Sequence, residues 1–277
     1  MVVLLKHFIE YYYCFSPTSI YIENDYYVVW NSKQKYYLFE IQNEELVQWQ
    51  YQFTISSFFN SFVENKFNSI FSVDYEKKYV LLKDDYDNRA KFPLTFVQRI
   101  IFNWDNIWIK KSDFLEKYYY SIRGKYSIID DSFHYFLGLL EMAHNYIKDY
   151  SNYEVEGFLQ YKKYSPIFFH NPINVCLDVR ERNFGEYLKY IFWNNEYKSI
   201  DLSLIIWENR NNYDFNLVIG RVLYPNYYFD LLDQFFLGSG DLLLLKNIID
   251  KIEEFEDYVS FLIFEIQKFF PIKKVSF

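Results

Sequence analysis

Four histidines and two cysteines bound the metal and nucleophile chemistry open to this chain. His7, His134, His144 and His170 are its only histidines, and Cys14 and Cys176 its only cysteines. Glu141 and His144 share a helix face at Glu-x-x-His spacing. A di-metal carboxylate site needs that motif twice, with further Glu residues on two other helices, and no second copy follows. The cysteines lie far apart and make neither a Cys-x-x-Cys pair nor a disulfide framework, so two free thiols in a reducing compartment are expected. Gly-x-Ser-x-Gly, His-Glu-x-x-His and a nucleophilic cysteine context are all missing from the sequence. Neither a metal site nor a cofactor is expected from these residues.

Glycine placement bears on phosphate chemistry. All seven glycines fall at or after Gly124. A phosphate-cradling loop needs glycine so that backbone N–H groups can approach without a Cβ in the way. The first 120 or so residues therefore hold no Walker A loop and no kinase glycine-rich loop. The Gly238-Ser239-Gly240 turn precedes a helix whose N-terminus could hold an anion, although a plain helix–helix turn is the simpler reading.

The elements that must carry these residues fall into two sets. Residues 19–30 and 36–42, rich in Tyr, Ile, Val and Phe and separated by Asn31-Ser32-Lys33-Gln34, read as a β-hairpin. From 44 to about 63, Leu46, Trp49 and Phe53 recur at helical spacing behind two acids that favour a helix N-terminus. Residues 70–73 and 79–83 bracket Asp74-Tyr75-Glu76-Lys77 as a second hairpin, and the polar stretch 84–91 ends at Phe92-Pro93. This gives a small mixed N-terminal lobe over 1–91. A larger, mainly helical lobe over 92–277 follows.

Within that second lobe, residues 96–123 read as one long helix or two short ones, with Trp104 and Trp108 on one face. The next helix takes its N-cap from Asp130-Asp131-Ser132, buries Phe133, Phe136, Leu137 and Leu140, and ends near Tyr150. Residues 155–177, punctuated by Pro166 and Pro172, read as hairpin and loop. Helices resume over 182–192, 217–236 and 240–269, the last stopping before Pro271.

Composition agrees with a folded domain pair. The 277 residues are 51% hydrophobic and 24% charged, outside the regime of disorder. There are 30 Tyr, 30 Phe and 6 Trp but only two alanines. This bias suits an AT-rich genome in which aromatics fill core positions. The formal net charge is −8, which repels a backbone polyanion, so no nucleic acid partner is expected. The apolar N-terminal stretch carries Lys6, His7 and Glu10 and lacks a small-residue cleavage site. The uncharged stretch 46–63 is broken up by Gln, Ser, Thr and Asn, and the apolar run 242–245 is followed at once by Lys246, so no membrane span is expected, and a soluble intracellular protein remains.

Three segments then carry a resemblance. FHYFLGLLEMA from Phe133, DVRERNFGEYL from Asp178, and FNLVIGRVLYPNYYFDLLDQFF from Phe215 resemble, in order and spacing, three stretches of the YutH family of endospore coat-associated proteins. The matches cover about 100 residues of the second lobe. The family in turn resembles the CotS-type spore coat proteins, which share the fold of aminoglycoside phosphotransferases and choline kinases. The resemblance thus implies an α+β, bilobal, protein kinase-like fold. It implies location in the mother-cell cytoplasm with association to the spore coat, and partners among coat or cortex proteins. The family's histidine-rich segment is replaced here by Leu159-Gln160-Tyr161-Lys162-Lys163.

Kinases of that fold use a His-x-Asp-x-x-x-x-Asn loop and a second Asp that holds Mg²⁺. The corresponding region, 158–174, contains no Asp. Asp178 is the carboxylate left to match the second Asp, and Glu40 stands about where the phosphate-binding Lys belongs. With glycine loop, strand Lys and catalytic Asp all missing, the expectation is a non-enzymatic pseudokinase acting by protein interaction, without catalytic residues. Asp178, Arg182 and Arg221 are the family-matched positions. They either line a retained ligand pocket or form a salt-bridge set that orients helices. Two alternatives stand beside this reading: a divergent small-molecule phosphotransferase of the aminoglycoside or choline kinase type, and an aromatic-rich ligand-binding module.

Overall fold

In the computed structural model, the described residues are 2–23, 26–32, 34–54, 62–84, 97–101, 111–150, 154–161 and 175–274. The chain divides into two compact units, one of Met1–Phe96 with Phe158–Asp178 and the other of Val97–Gly157 with Val179–Phe277.

The first unit is built on a five-stranded antiparallel sheet. Its strands are β1 (Ser19–Glu23), β2 (Tyr26–Asn31), β3 (Gln34–Ile41), β4 (Phe71–Asp74) and β5 (Lys77–Lys83), in the order β1-β2-β3-β5-β4. Period-2 alternation sends neighbouring side chains to opposite faces. On one face Tyr37, Phe39, Val80 and Leu82 pack with Val47 of helix α2 (Glu44–Thr54). On the other, Leu38, Tyr79 and Leu81 pack with Phe8, Ile9 and Tyr13 of helix α1 (Val2–Tyr12) and the turn after it. Both faces are covered, which is why the central strands read as unbroken aromatic and aliphatic runs.

The run 19–30 makes two strands, with Glu23 opposite Tyr26, where a single strand was expected. Asn24-Asp25, a turn-forming pair, is the signal inside it. Having no glycine, this unit puts Ser32, Asn68 and Tyr75 into the left-handed region, with φ of 43°, 57° and 53°. That conformation costs L-residues roughly 1–2 kcal/mol each. β7 (Glu154–Tyr161) and β8 (Val175–Asp178) pair antiparallel, with Phe158 opposite Asp178 and Tyr161 opposite Val175.

The second unit is mainly helical. It opens with β6 (Val97–Ile101) and α3 (Lys111–Lys117), so the expected helix over 96–123 is corrected at its start. Five residues are too few for periodicity to separate strand from helix. Trp104 and Trp108 lie outside the described residues. A π-helical turn (Tyr118–Ile122) leads to α4 (Ser127–Ile147). Asp130 does not cap α4, because the helix starts three residues earlier; its carboxylate instead accepts from the Tyr118 hydroxyl at 2.7 Å and the Gly124 N–H at 2.9 Å. Then come α5 (Glu181–Trp193), α6 (Leu202–Glu208), α7 (Phe215–Leu223), α8 (Asn226–Phe236), α9 (Leu242–Ile249) and α10 (Ile252–Gln267). The expected helices over 217–236 and 240–269 are each two. Pro225 separates the first pair, since it cannot continue the backbone ladder and disfavours helix in the residue before it. Asp201, Asp214 and Asp241 cap α6, α7 and α9 through their carboxylates.

Every residue of α7 is buried, as expected for a helix apolar nearly all round. Two glycines allow its neighbours to come close. A Cβ on Gly220 would lie 2.7 Å from Ile147 Cγ2 and 3.2 Å from the Ala143 carbonyl of α4. We therefore expect Gly220→Ala to destabilise the protein by about 1–3 kcal/mol in urea melts, overpacking outweighing the gain of about 1 kcal/mol in helix propensity. Aromatic stacking fills the rest of this core. Phe136 and Tyr228 lie 3.8 Å apart, Tyr118 and Phe133 3.9 Å, and Phe114 and Phe229 4.0 Å.

Candidate functional site

Asp178 closes β8 in the first unit and is 1% exposed. It is the one buried carboxylate among the described residues of that unit. Burying an ionised acid is costly unless it is paired and hydrogen-bonded, and Asp178 does have an interaction partner. Gln160, opposite Cys176 on the same hairpin, is buried beside it in the ladder. Residues 162–174, where the catalytic loop was sought, lie outside the described residues. On the main sheet, Glu40 of β3 is paired with Lys77 of β5 at 2.8 Å, so a neighbouring strand supplies a cation where β3 offers an acid.

Arg182 and Arg221 belong to the second unit, where the structure gathers them around a pair that sequence reading missed. Glu186 and Lys189, three residues apart on α5, are 5% and 3% exposed and lie 2.8 Å from each other. Lys189 Nζ also donates to Asn226 Oδ1 at 2.7 Å and to the Tyr224 carbonyl at 3.3 Å. One ammonium thus ties α5 to the joint between α7 and α8 and satisfies a carbonyl at the end of α7. Gly185 makes room for this arrangement. A Cβ there would sit 2.6 Å from Arg221 Cγ, so the aliphatic stem of Arg221 passes directly over it.

The charges respond as such a cluster should. Burial raises the Glu186 carboxyl, but Lys189, Arg182 and Arg221 together outweigh it and hold the group below the ordinary carboxylate range. Burial pulls the Lys189 ammonium down to about 8, Glu186 opposing and the two arginines adding to the fall. Glu181, at the start of α5, is raised by burial while its Oε1 accepts from the Asp214 N–H at 3.2 Å. In this unit Arg182 and Arg221 stand close enough to Glu186 and Lys189 to act on their charges. The spacing Arg182, Glu186, Lys189 on one helix face was the available signal.

A kinase-like fold implies a divalent metal on the nucleotide phosphates. Mg²⁺ demands near-ideal octahedral oxygen coordination and keeps few protein ligands. Among the described residues no three His, Cys, Asp or Glu side chains gather to hold a metal, so such an ion would rest on Asp178 together with the nucleotide's own phosphates.

No known family model matches the chain, and no curated protein matches it. Solved structures do resemble it along its whole length. Spectinomycin phosphotransferase APH(9)-Ia in complex with ADP and spectinomycin superposes with a TM-score of 0.63 at 10% identity, over 96% of this chain and 99% of that one. The AMP-bound complex of the same protein gives 0.59 at 8% identity, over 93% and 96%. An aminoglycoside phosphotransferase from Alicyclobacillus acidocaldarius gives 0.55 at 12% identity, over 95% and 96%. The chain has the kinase-like fold of the aminoglycoside phosphotransferases.

This likeness corrects the expectation that the chain is not an enzyme. The structures it matches end to end are phosphotransferases, whereas the contrary reading rested on residue types at three short motifs. Most of the catalytic-loop region, residues 162–174, lies outside the described residues. Among the described residues no helix is long and apolar enough to cross a membrane.

Proposed function

We propose that the chain is a small-molecule phosphotransferase that moves the γ-phosphoryl group of a nucleoside triphosphate to a hydroxyl of a small, cationic, polyhydroxylated acceptor. In that step the acceptor oxygen forms a bond to phosphorus, the bond from phosphorus to the β,γ-bridging oxygen breaks, and the hydroxyl proton leaves to solvent. The observation that carries the reading is the end-to-end likeness to phosphotransferases, one of them bound to ADP and spectinomycin. The formal charge of −8 favours a cationic acceptor, since like-charged ligands are disfavoured at long range. Asp178, the buried carboxylate at the end of β8, is the residue that would hold the divalent cation accompanying the nucleotide, and that cation would neutralise charge on the phosphates.

The test combines binding with turnover. ATP with Mg²⁺ should raise the melting temperature by several degrees, because a ligand at 100 times its Kd adds about 2.7 kcal/mol. Label from γ-labelled ATP should appear on an amino-sugar acceptor. Asp178→Asn should lower kcat by roughly 10³-fold, the scale of losing a group that acts on transition-state charge, and leave the melting temperature of the free protein within a few degrees. Failure of both ATP and GTP to shift the melt, together with no label transfer to any amino-sugar or amino-alcohol acceptor, would end this reading. Spore coat association is a separate matter of location. We infer it from the sequence resemblance alone, and a fluorescent fusion that stays diffuse throughout sporulation would refute it.

A further inference from the structure

Away from the residues discussed above, the second unit carries a cavity of ≈ 960 Å³ between one face of α4, Glu256 of α10 and the segment at Lys273 and Lys274. Its volume is in the range that takes a drug-sized ligand. The α4 face is set by helical spacing, Tyr135, Gly138, Glu141 or Met142, Asn145 and Lys148 following one another at three or four residues.

Gly138 is the unexplained residue. It lies in the middle of a 21-residue helix, where glycine costs about 1 kcal/mol relative to alanine. Gly185 and Gly220 are required by close neighbours, but a Cβ on Gly138 would meet nothing within 4 Å. The protein's own packing gives no reason for the missing side chain; what it does is open the cavity floor down to the helix backbone. Beside it, the Tyr135 hydroxyl is enclosed, with the Glu256 carboxylate within its reach. Burial, then the adjacent Glu256 carboxylate, push its pKa well above the ordinary phenol value, so it remains a donor.

The lining is divided by sign. Glu256 and Tyr135 meet at one end, with Glu141 following along α4. Lys148, Lys273 and Lys274 stand at the other. Lys273 is pinned there: its Nζ donates to the Tyr146 carbonyl at 3.2 Å and lies 2.5 Å from Asp149 Oδ2, and its backbone N–H donates to Asn216 Oδ1 at 3.0 Å. That anchoring presents the exposed Lys274 at the cavity edge. Glu141 and Lys148 are separated by roughly 10 Å of helix at 1.5 Å per residue. A polyamine would be repelled by the lysine end and a nucleotide by the carboxylate end, while a single amino acid is too short to reach both. An extended peptide of roughly three or four residues, at about 3.3 Å each, spans the distance.

We propose that this cavity binds a short peptide with free ends, its ammonium between Glu256 and Glu141, its backbone over Gly138, and its carboxylate at Lys274. The site is independent of the phosphotransferase reading. The tetrapeptide Ala-Leu-Leu-Ala serves as the probe in titration calorimetry on the full chain, beside its N-acetylated and C-amidated forms. Expected are saturable binding of the free peptide and a weakening of about tenfold or more for each capped form, the loss of a charge-assisted hydrogen bond. Glu256→Gln should erase the discrimination against the acetylated form only, and Lys274→Gln that against the amide only. Gly138→Leu should abolish binding, and Gly138→Ala should weaken it while raising the melting temperature. No saturable binding to the wild type, equal binding of the capped peptides, or undiminished binding by Gly138→Ala would each overturn the proposal.

Discussion

Above pH 10 this protein should unfold within about one to two pH units. Tyr13, Tyr228 and Tyr258 have rings and hydroxyls deep in the two cores, and Tyr26, Tyr37 and Tyr118 bury their rings with hydroxyls nearer the solvent. Burial, the largest cause at each, pushes Tyr13, Tyr26 and Tyr118 up to about 12. Tyr37, Tyr228 and Tyr258 are raised further. Acceptance by a carboxylate adds to the rise at three of them, Glu23 at Tyr26, Asp84 at Tyr37 and Asp130 at Tyr118.

The sign follows from proton counting. Between the unfolded pKa of about 10 and the raised folded values, the folded chain holds more protons than the unfolded one, so stability falls as pH rises. Each such tyrosine contributes about 1.4 kcal/mol per pH unit, so the three deepest alone give about 4 kcal/mol per unit. The whole stability of a domain is about 5–15 kcal/mol. Lys189, lowered to about 8, works in the opposite direction up to its unfolded value of about 10.4 and delays the onset slightly. Phenolate absorbance and far-ultraviolet circular dichroism should therefore change together in one steep step. A smooth titration of all 30 tyrosines near pH 10 with the dichroism intact would show that the aromatic surplus is not core.

That aromatic surplus was the most readable part of the fold. The run from Tyr36 to Ile41 reads as a strand because β-branched and aromatic side chains suit a pleated surface, and its alternate residues do enter opposite cores. Amphipathic spacing likewise placed α2, α4 and α5. Local pattern failed where the deciding fact was distant. Val97–Ile101 is a strand through pairing that five residues cannot announce. Glu186 and Lys189 look like an ordinary surface pair three residues apart, and only the packing of α5 on α7 buries them. Gly185 and Gly220 give no hint in sequence that they set helix approach, because the atoms they avoid, on Arg221, Ile147 and Ala143, lie on other helices.

The same limit explains the mistaken exclusion of enzymatic activity. A missing strand Lys or catalytic Asp is a statement about residue types in an assumed register. The end-to-end fold is a statement about backbone placement, and at 8–12% identity the two have parted. Asp178 is where they still meet: it is a family-matched acid by sequence and a buried strand-end acid by structure.

Removing the Glu186 carboxylate should cost about 3–5 kcal/mol, the usual penalty for breaking a buried ion pair by deleting one partner. Glu186→Gln keeps the volume and leaves Lys189 with only the neutral acceptors Tyr224 O and Asn226 Oδ1. At about 2–4 °C per kcal/mol for a chain of this size, the melting temperature should fall by roughly 10 °C at pH 7. The loss should shrink above pH 8, because Lys189 without its carboxylate sheds its proton more readily and the uncompensated charge disappears. The double variant Glu186→Leu with Lys189→Met should recover much of the loss, since a well-packed apolar pair often matches a buried ion pair. The difference from additivity then measures their coupling directly. A Glu186→Gln protein that melts within 1 °C of the parent, or a double variant as damaged as the sum of the singles, would mean that the pair is hydrated in solution. In that event the ligand-lining alternative for Arg182 and Arg221 would gain the ground.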